Sequence, residues 1–227
     1  MSSLAASLQH HFADFKQQKE SVVLGMWSFL IQEVMFFGGL FATYVVYRSQ
    51  YPEAFAQASS LLNVNLGGVN TIVLICSSLT MAMAVHAASK GDRAAIAVWL
   101  LLTIVFGGIF LGVKVVEYKD KWDHGLIPGI ADHGLLQDHD THKPRPTGFS
   151  LYFALYFAMT GLHAIHMLIG IPILALLAIN GLRGKYGPEW YTPVEMTGLY
   201  WHFVDIVWIF LFPLLYLIGA HGAPGAH

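Results

Sequence analysis

Three kinds of residue in this chain are able to do chemistry from inside apolar sequence. The first is Glu33, in Trp27-Ser-Phe-Leu-Ile-Gln-Glu33-Val-Met-Phe-Phe-Gly-Gly39. The second is a set near the C-terminus: Glu195, His202 and Asp205, with Trp201 and Trp208 beside them. The third is His163 with His166. Acids at membrane depth are costly and mark proton pathways or partner contacts; their bland alternative is a structural acid bonded to a neighbouring helix. His202 and Asp205 are three apart and share a helical face, with Glu195 two turns earlier on the same side. An Asp beside a His fixes its tautomer and charge, or the group simply ties helices together. His163 and His166 also share a face. Two such histidines suit a metal, or one of them paired with His202 suits a b-type haem; structural histidines are the bland reading. A di-iron site would need Glu-x-x-His repeats, which the chain lacks.

Other chemistries are narrowed by counting. The one cysteine, Cys76, makes no internal disulfide, Cys-rich zinc site or iron–sulfur site. A formal net charge of -2 gives no electrostatic case for nucleic acid. His124, His133, His139 and His142 alternate with Asp123, Asp132, Asp138 and Asp140, a loose divalent-metal composition that water-facing loops often have with nothing bound.

The elements that position these residues are membrane helices. The chain of 227 residues is 56% hydrophobic and only 11% charged, against roughly 25% charged residues in an average soluble domain. Five runs are long enough to cross about 30 Å of hydrocarbon, at about residues 21–47, 67–88, 94–116, 149–180 and 196–220. Their continuity predicts helices, not barrel strands. Lys114 and Glu117 mark the end of the third run, and Pro172 and Pro213 predict local kinks. Around this transmembrane domain of 21–220 lie an N-terminal segment of 1–20, a polar loop of 117–146 and a tail of 221–227. Leu4, Leu8, His11, Phe12 and Phe15 follow helical spacing and predict an interfacial helix. Gly38-Gly39, Gly67-Gly68 and Gly107-Gly108 predict close helix packing. Tyr44, Tyr47, Tyr51, Trp122, Trp190, Tyr191, Tyr200 and Trp201 read as an aromatic belt. With the N-terminus inside, Lys16, Lys19, Lys90, Arg93, Arg183 and Lys185 face the cytoplasm, against Arg48, Lys119, Lys121, Lys143 and Arg145 outside. The short basic hairpins decide for N-terminus inside and C-terminus outside.

These motifs together resemble a known family. Tyr200-Trp-His-Phe-Val-Asp-Ile-Val-Trp-Ile-Phe-Leu-Phe212 and Thr160-Gly-Leu-His-Ala-Ile-His-Met-Leu-Ile-Gly170 are similar to the last two helices of subunit III of haem-copper terminal oxidases. Gln32-Glu-Val-Met-Phe-Phe37, Asn70-Thr-Ile-Val-Leu-Ile-Cys-Ser-Ser78 and the pair Glu117-Tyr118 match that family in order. The likeness covers about residues 20–220. It implies an all-α membrane fold of the five-helix bacterial form, in the inner (cytoplasmic) membrane. It further implies that Glu33 is the family's carbodiimide-sensitive membrane acid. His163, His166, Glu195, Trp201, His202 and Asp205 would then fall in a helix-packing and lipid-binding cleft, with bound phospholipid and no haem or copper in this chain. The redox centres would belong to subunit I and subunit II, with subunit IV as a further partner and a respiratory supercomplex as a further assembly. The implied work is sustaining proton uptake, shielding subunit I during turnover and guiding oxygen, in a complex that reduces oxygen to water and pumps protons. A quinol oxidase subunit III, an accessory subunit of a nitric oxide reductase, and a b-type cytochrome anchor stay open as alternatives. The family's seven-helix members carry two helices that this chain lacks before the glutamate-bearing one, and the polar loop is longer than a minimal member needs.

Overall fold

The computed structural model describes residues 12–129, 133–137 and 144–217. Five of its helices are long and apolar enough to cross a membrane. They are α1 (Phe15–Gln50), α3 (Val64–Lys90), α4 (Arg93–Asp123), α6 (Phe149–Leu182) and α7 (Thr192–Tyr216), with short α2 (Pro52–Ser59) and α5 (His133–Leu136) at one end.

Each boundary has a local cause. Asp14 accepts the Gln17 amide at 2.7 Å, and the Gln17 side chain returns to the Ala13 amide at 2.8 Å, so α1 starts at Phe15. The expected interfacial segment therefore ends in a helix continuous with the first span; Leu4, Leu8 and His11 lie outside the described residues. Gly91 closes α3 in the left-handed conformation (φ 76°), and Asp92 at once caps α4 through the Ala95 amide. Two residues between the helices thus suffice to reverse the chain. At the other end of α4 the helix continues past residue 116, where the charge pattern reads as loop, to Asp123. The reason is that Lys114, Glu117 and Lys121 lie on one face and are buried. Helices α6 and α7 run unbroken through Pro172 and Pro213.

The helices run alternately up and down. At one end the 91–92 turn meets the 183–191 turn, where Gly91 lies against Pro188, and Phe15 of α1 packs edge-on against Trp190 at 5.9 Å. Lys90, Arg93, Arg183 and Lys185 gather there, as the two basic hairpins require. At the opposite end α2, which the sequence reading leaves as a connection, inserts Phe55 against Tyr44 and Tyr152. Ser59 donates to the Leu215 carbonyl at 2.6 Å, and Lys121 to the Leu61 carbonyl at 3.0 Å.

Helices α3, α4, α6 and α7 form a packed bundle, and α1 leans on α6 and α7. Trp201 and Trp208 fill the bundle centre with no exposed surface. Trp201 fits because Gly107 and Gly170 face it: a Cβ on Gly170 would stand 2.7 Å from its ring. Gly67 plays the same part for Phe212, whereas Gly38, Gly39 and Gly108 face open space. Two of the three glycine pairs thus serve packing inside this chain. Tyr44, Tyr200 and Trp201 are core residues and not belt residues; Trp122, Trp190 and Tyr191 keep terminal positions. Outward-facing Leu24, Ile31, Val34, Val69, Leu101 and Leu168 make the surface apolar.

Candidate functional site

Buried ionisable side chains form three separate groups within the bundle, and each is satisfied differently. Glu33 stands midway along α1 and is buried. Its Oε2 lies 3.3 Å from Nε2 of His166 on α6. The other ring nitrogen of His166, Nδ1, lies 2.9 Å from the Leu162 carbonyl. A carbonyl only accepts, so Nδ1 carries a proton. Nε2 then either accepts a proton from a neutral Glu33 carboxyl or donates as an imidazolium to the carboxylate. The pair joins α1 to α6. Phe37 packs on the His166 ring at 5.5 Å, and Tyr200 of α7 donates to the His166 carbonyl at 2.9 Å, so three helices set the ring's place.

The second group is closed on itself. Lys114 Nζ donates to Glu117 Oε2 at 2.9 Å, one turn along α4. Tyr156 of α6 and Tyr216 of α7 donate to Glu117 Oε1 at 2.8 and 2.6 Å. Lys114 also donates to both phenol oxygens at 3.0 Å and lies 5.1 Å from the centre of the Trp208 ring. Every charge here has several partners, as a buried ion pair requires. Lys114, Tyr156 and Tyr216 are the residues that sequence reasoning passed over. The signal available was the i, i+3 spacing of Lys114 and Glu117.

The third group is incomplete. His202 Nδ1 pairs with Ser78 Oγ of α3 at 2.7 Å, so its partner is Ser78 rather than the expected Asp205. Asp205 is 3% exposed, and neither carboxyl oxygen has a hydrogen-bond partner among the described residues. It lines a groove of about 250 Å³ between α3 and α7, together with Leu74, Ser78, Leu79, Ala82 and His202.

The remaining predicted positions lie apart. His163 is buried between Phe110 and Trp208, each ring 5.2 Å away, with both nitrogens unpartnered among the described residues. Trp201 donates to Ser77 at 3.0 Å. Glu195 sits in the first turn of α7, its Oε2 unpartnered among the described residues, and does not line the groove. The helix-packing and lipid-binding set is thus divided among different interfaces and does not converge on one cleft. The three-residue step from His163 to His166 turns one ring to the core and the other to α1. For the same reason the histidines do not fit a bis-histidine haem: His163 faces Phe110 and Trp208, His166 faces Glu33, and His202 faces Ser78. Among the described residues no three His, Cys, Asp or Glu side chains group as metal ligands. His139 and His142 lie outside the described residues, and His124 pairs with Asp120 on its own helix.

Fold and buried groups define a polytopic α-helical membrane protein in which the acids Glu33 and Glu117 bridge helices. Sequence comparison supplies the family. Residues 5–123 and 144–220 match cytochrome c oxidase subunit III, and the chain belongs to that family. It is 35% identical over 199 residues to cytochrome c oxidase subunit 3 of Corynebacterium diphtheriae, covering 87% of this chain and 88% of that one. It is 32% identical to the subunit of the same name from Thermostichus vulcanus, over 95% and 94% of the two chains. Quinol oxidase subunit 3 of Bacillus spizizenii is 30% identical, over 88% of each chain.

Proposed function

We propose that the chain is the non-catalytic subunit III of a bacterial respiratory haem-copper oxidase, seated in the cytoplasmic membrane with its N-terminus inside. The complex reduces oxygen to water and pumps protons; haems and copper reside in subunits I and II. Subunit III stabilises subunit I during turnover and supports proton uptake through Glu33. The observation that carries this reading is the buried Glu33 carboxyl set 3.3 Å from His166 at the junction of α1, α6 and α7. The phospholipid expected with the subunit would lie along its apolar faces, with acyl chains against residues such as Leu24, Val69 and Leu168.

The test is purification of the intact oxidase from native membranes with Glu33→Gln and Glu33→Ala chains. Expected are normal assembly, slower proton uptake and a shortened lifetime under turnover. Wild-type turnover, pumping and durability would make Glu33 purely structural. Absence of oxidase subunits from the purified wild-type material would remove the whole reading. Quinol is a second candidate electron donor, because the Bacillus spizizenii quinol oxidase subunit is nearly as similar as the cytochrome c oxidase relatives. Assaying the purified complex with reduced cytochrome c and with quinol separates the two.

A further inference from the structure

Asp205 poses a problem that no described residue of this chain solves. It stands near the middle of α7, about 20 Å from one helix end and 17 Å from the other at 1.5 Å per residue. Its carboxyl is almost wholly buried, and both oxygens lack a partner among the described residues. A polar group desolvated in this way is destabilising until something bonds to it. The groove is the route by which something reaches it.

The depth of the groove selects the occupant. Phospholipid headgroups stay at the interface, and acyl chains offer no hydrogen bond, so lipid does not meet the need of Asp205. The walls are small or apolar: Ala82 and Ser78 permit close approach, and Leu79, Ile75, Ile206 and Ile209 flank the opening with exposed aliphatic surface. Small residues beside a polar group are what a tightly packed helix–helix contact in a membrane uses. The family is one of subunits in a larger oxidase.

We propose that the groove between α3 and α7 receives a transmembrane helix of a partner subunit. That helix brings a hydrogen-bond donor, a hydroxyl, amide or cationic side chain, to the Asp205 carboxyl at mid-membrane depth. Ser78 and His202 form one wall of the contact and bond to each other. Leu79 and Ala82 flank the entering helix. This rests on the chain acting as an oxidase subunit, as proposed above.

The test uses the intact complex in native membranes. A photo-crosslinking amino acid is placed at Leu79, with Leu101 on α4 as the control position. Expected is a Leu79 adduct to another oxidase polypeptide. In the Asp205→Leu chain the adduct should fall at least fivefold and subunit III should wash out of the detergent-purified complex. Asp205→Asn, whose amide still hydrogen-bonds, should retain both. Ala82→Trp plugs the groove from its exposed rim without touching the core, so loss of the adduct there cannot be assigned to misfolding. Adducts to lipid or quinone alone overturn the proposal. So does a polypeptide adduct that survives both Asp205→Leu and Ala82→Trp. If the wild-type chain copurifies with no oxidase subunit, the functional reading fails first, and this one falls with it.

Discussion

Glu117 and Asp205 are both carboxylates buried in the same bundle, yet their surroundings are opposite. Glu117 is met by a lysine and two tyrosines from three helices. Asp205 is met by nothing among the described residues, and a groove opens beside it. Glu33 lies between these extremes, with one base at 3.3 Å. Burial alone therefore does not tell what an acid in a membrane helix is for. The number of partners supplied by its own chain does. The fully partnered acid is tied into the scaffold by three helices, Glu33 has one neighbouring base, and Asp205 has no partner among the described residues.

The contrast is broken most strongly by Lys114→Met, which leaves Glu117 as an uncompensated buried charge. The expected cost is about 3–5 kcal/mol, measured as a lowered unfolding midpoint of the subunit in detergent. Lys114→Met combined with Glu117→Gln should recover most of it, and a single mutant as stable as wild type would show that the cluster is not structural. Next is Tyr216→Phe. Removing one hydrogen bond to the charged Glu117 should cost about 1.5–3 kcal/mol, read from the same midpoint. A shift no larger than that of an exposed control such as Leu101→Ala would contradict the account. Ser78→Ala takes the hydroxyl from His202 and should cost about 0.5–1.5 kcal/mol, because His202 is only partly buried. The smallest effect is expected for Asp205→Leu in the isolated subunit. With no internal bond to lose, the change should lie within about 1 kcal/mol of neutral, and stabilisation is the favoured sign. A loss as large as that of Lys114→Met would mean that Asp205 has a partner inside the chain. In the intact oxidase the same substitution should release the subunit, so the two measurements together sharpen the comparison.

Much of this was legible in the residues. Five spans follow from five long apolar runs with at most one charge each, since a backbone in hydrocarbon must satisfy its own hydrogen bonds and helices do so locally. The tight turn between α3 and α4 is written in Lys90-Gly91-Asp92-Arg93, a C-terminal glycine followed at once by a capping aspartate. What misled was charge read as a loop signal. Residues 117–123 carry five charges and still form helix, because Lys114, Glu117 and Lys121 face the interior and find partners there. Aromatic residues misled in the same way: Tyr44, Tyr200 and Trp201 have the composition of a belt and the position of a core. Helix α2 went unseen because its eight residues pack one large side chain, Phe55, against helices distant in sequence.

Composition and spacing determined the membrane class, the number of spans and the candidate residues, because hydropathy and turn chemistry act over neighbouring positions; the family came from the resemblance of whole motifs. Which acid meets which base was decided only in three dimensions. Glu33 and His166 are 133 positions apart, Lys114 and Tyr216 are 102 apart, and Ser78 and His202 are 124 apart. A helix repeats its facing direction every 3.6 residues, so sequence offers each polar side chain several equivalent neighbours. Only the rotation and height at which the helices pack against one another select the pair that forms, and leave Asp205 without one among the described residues.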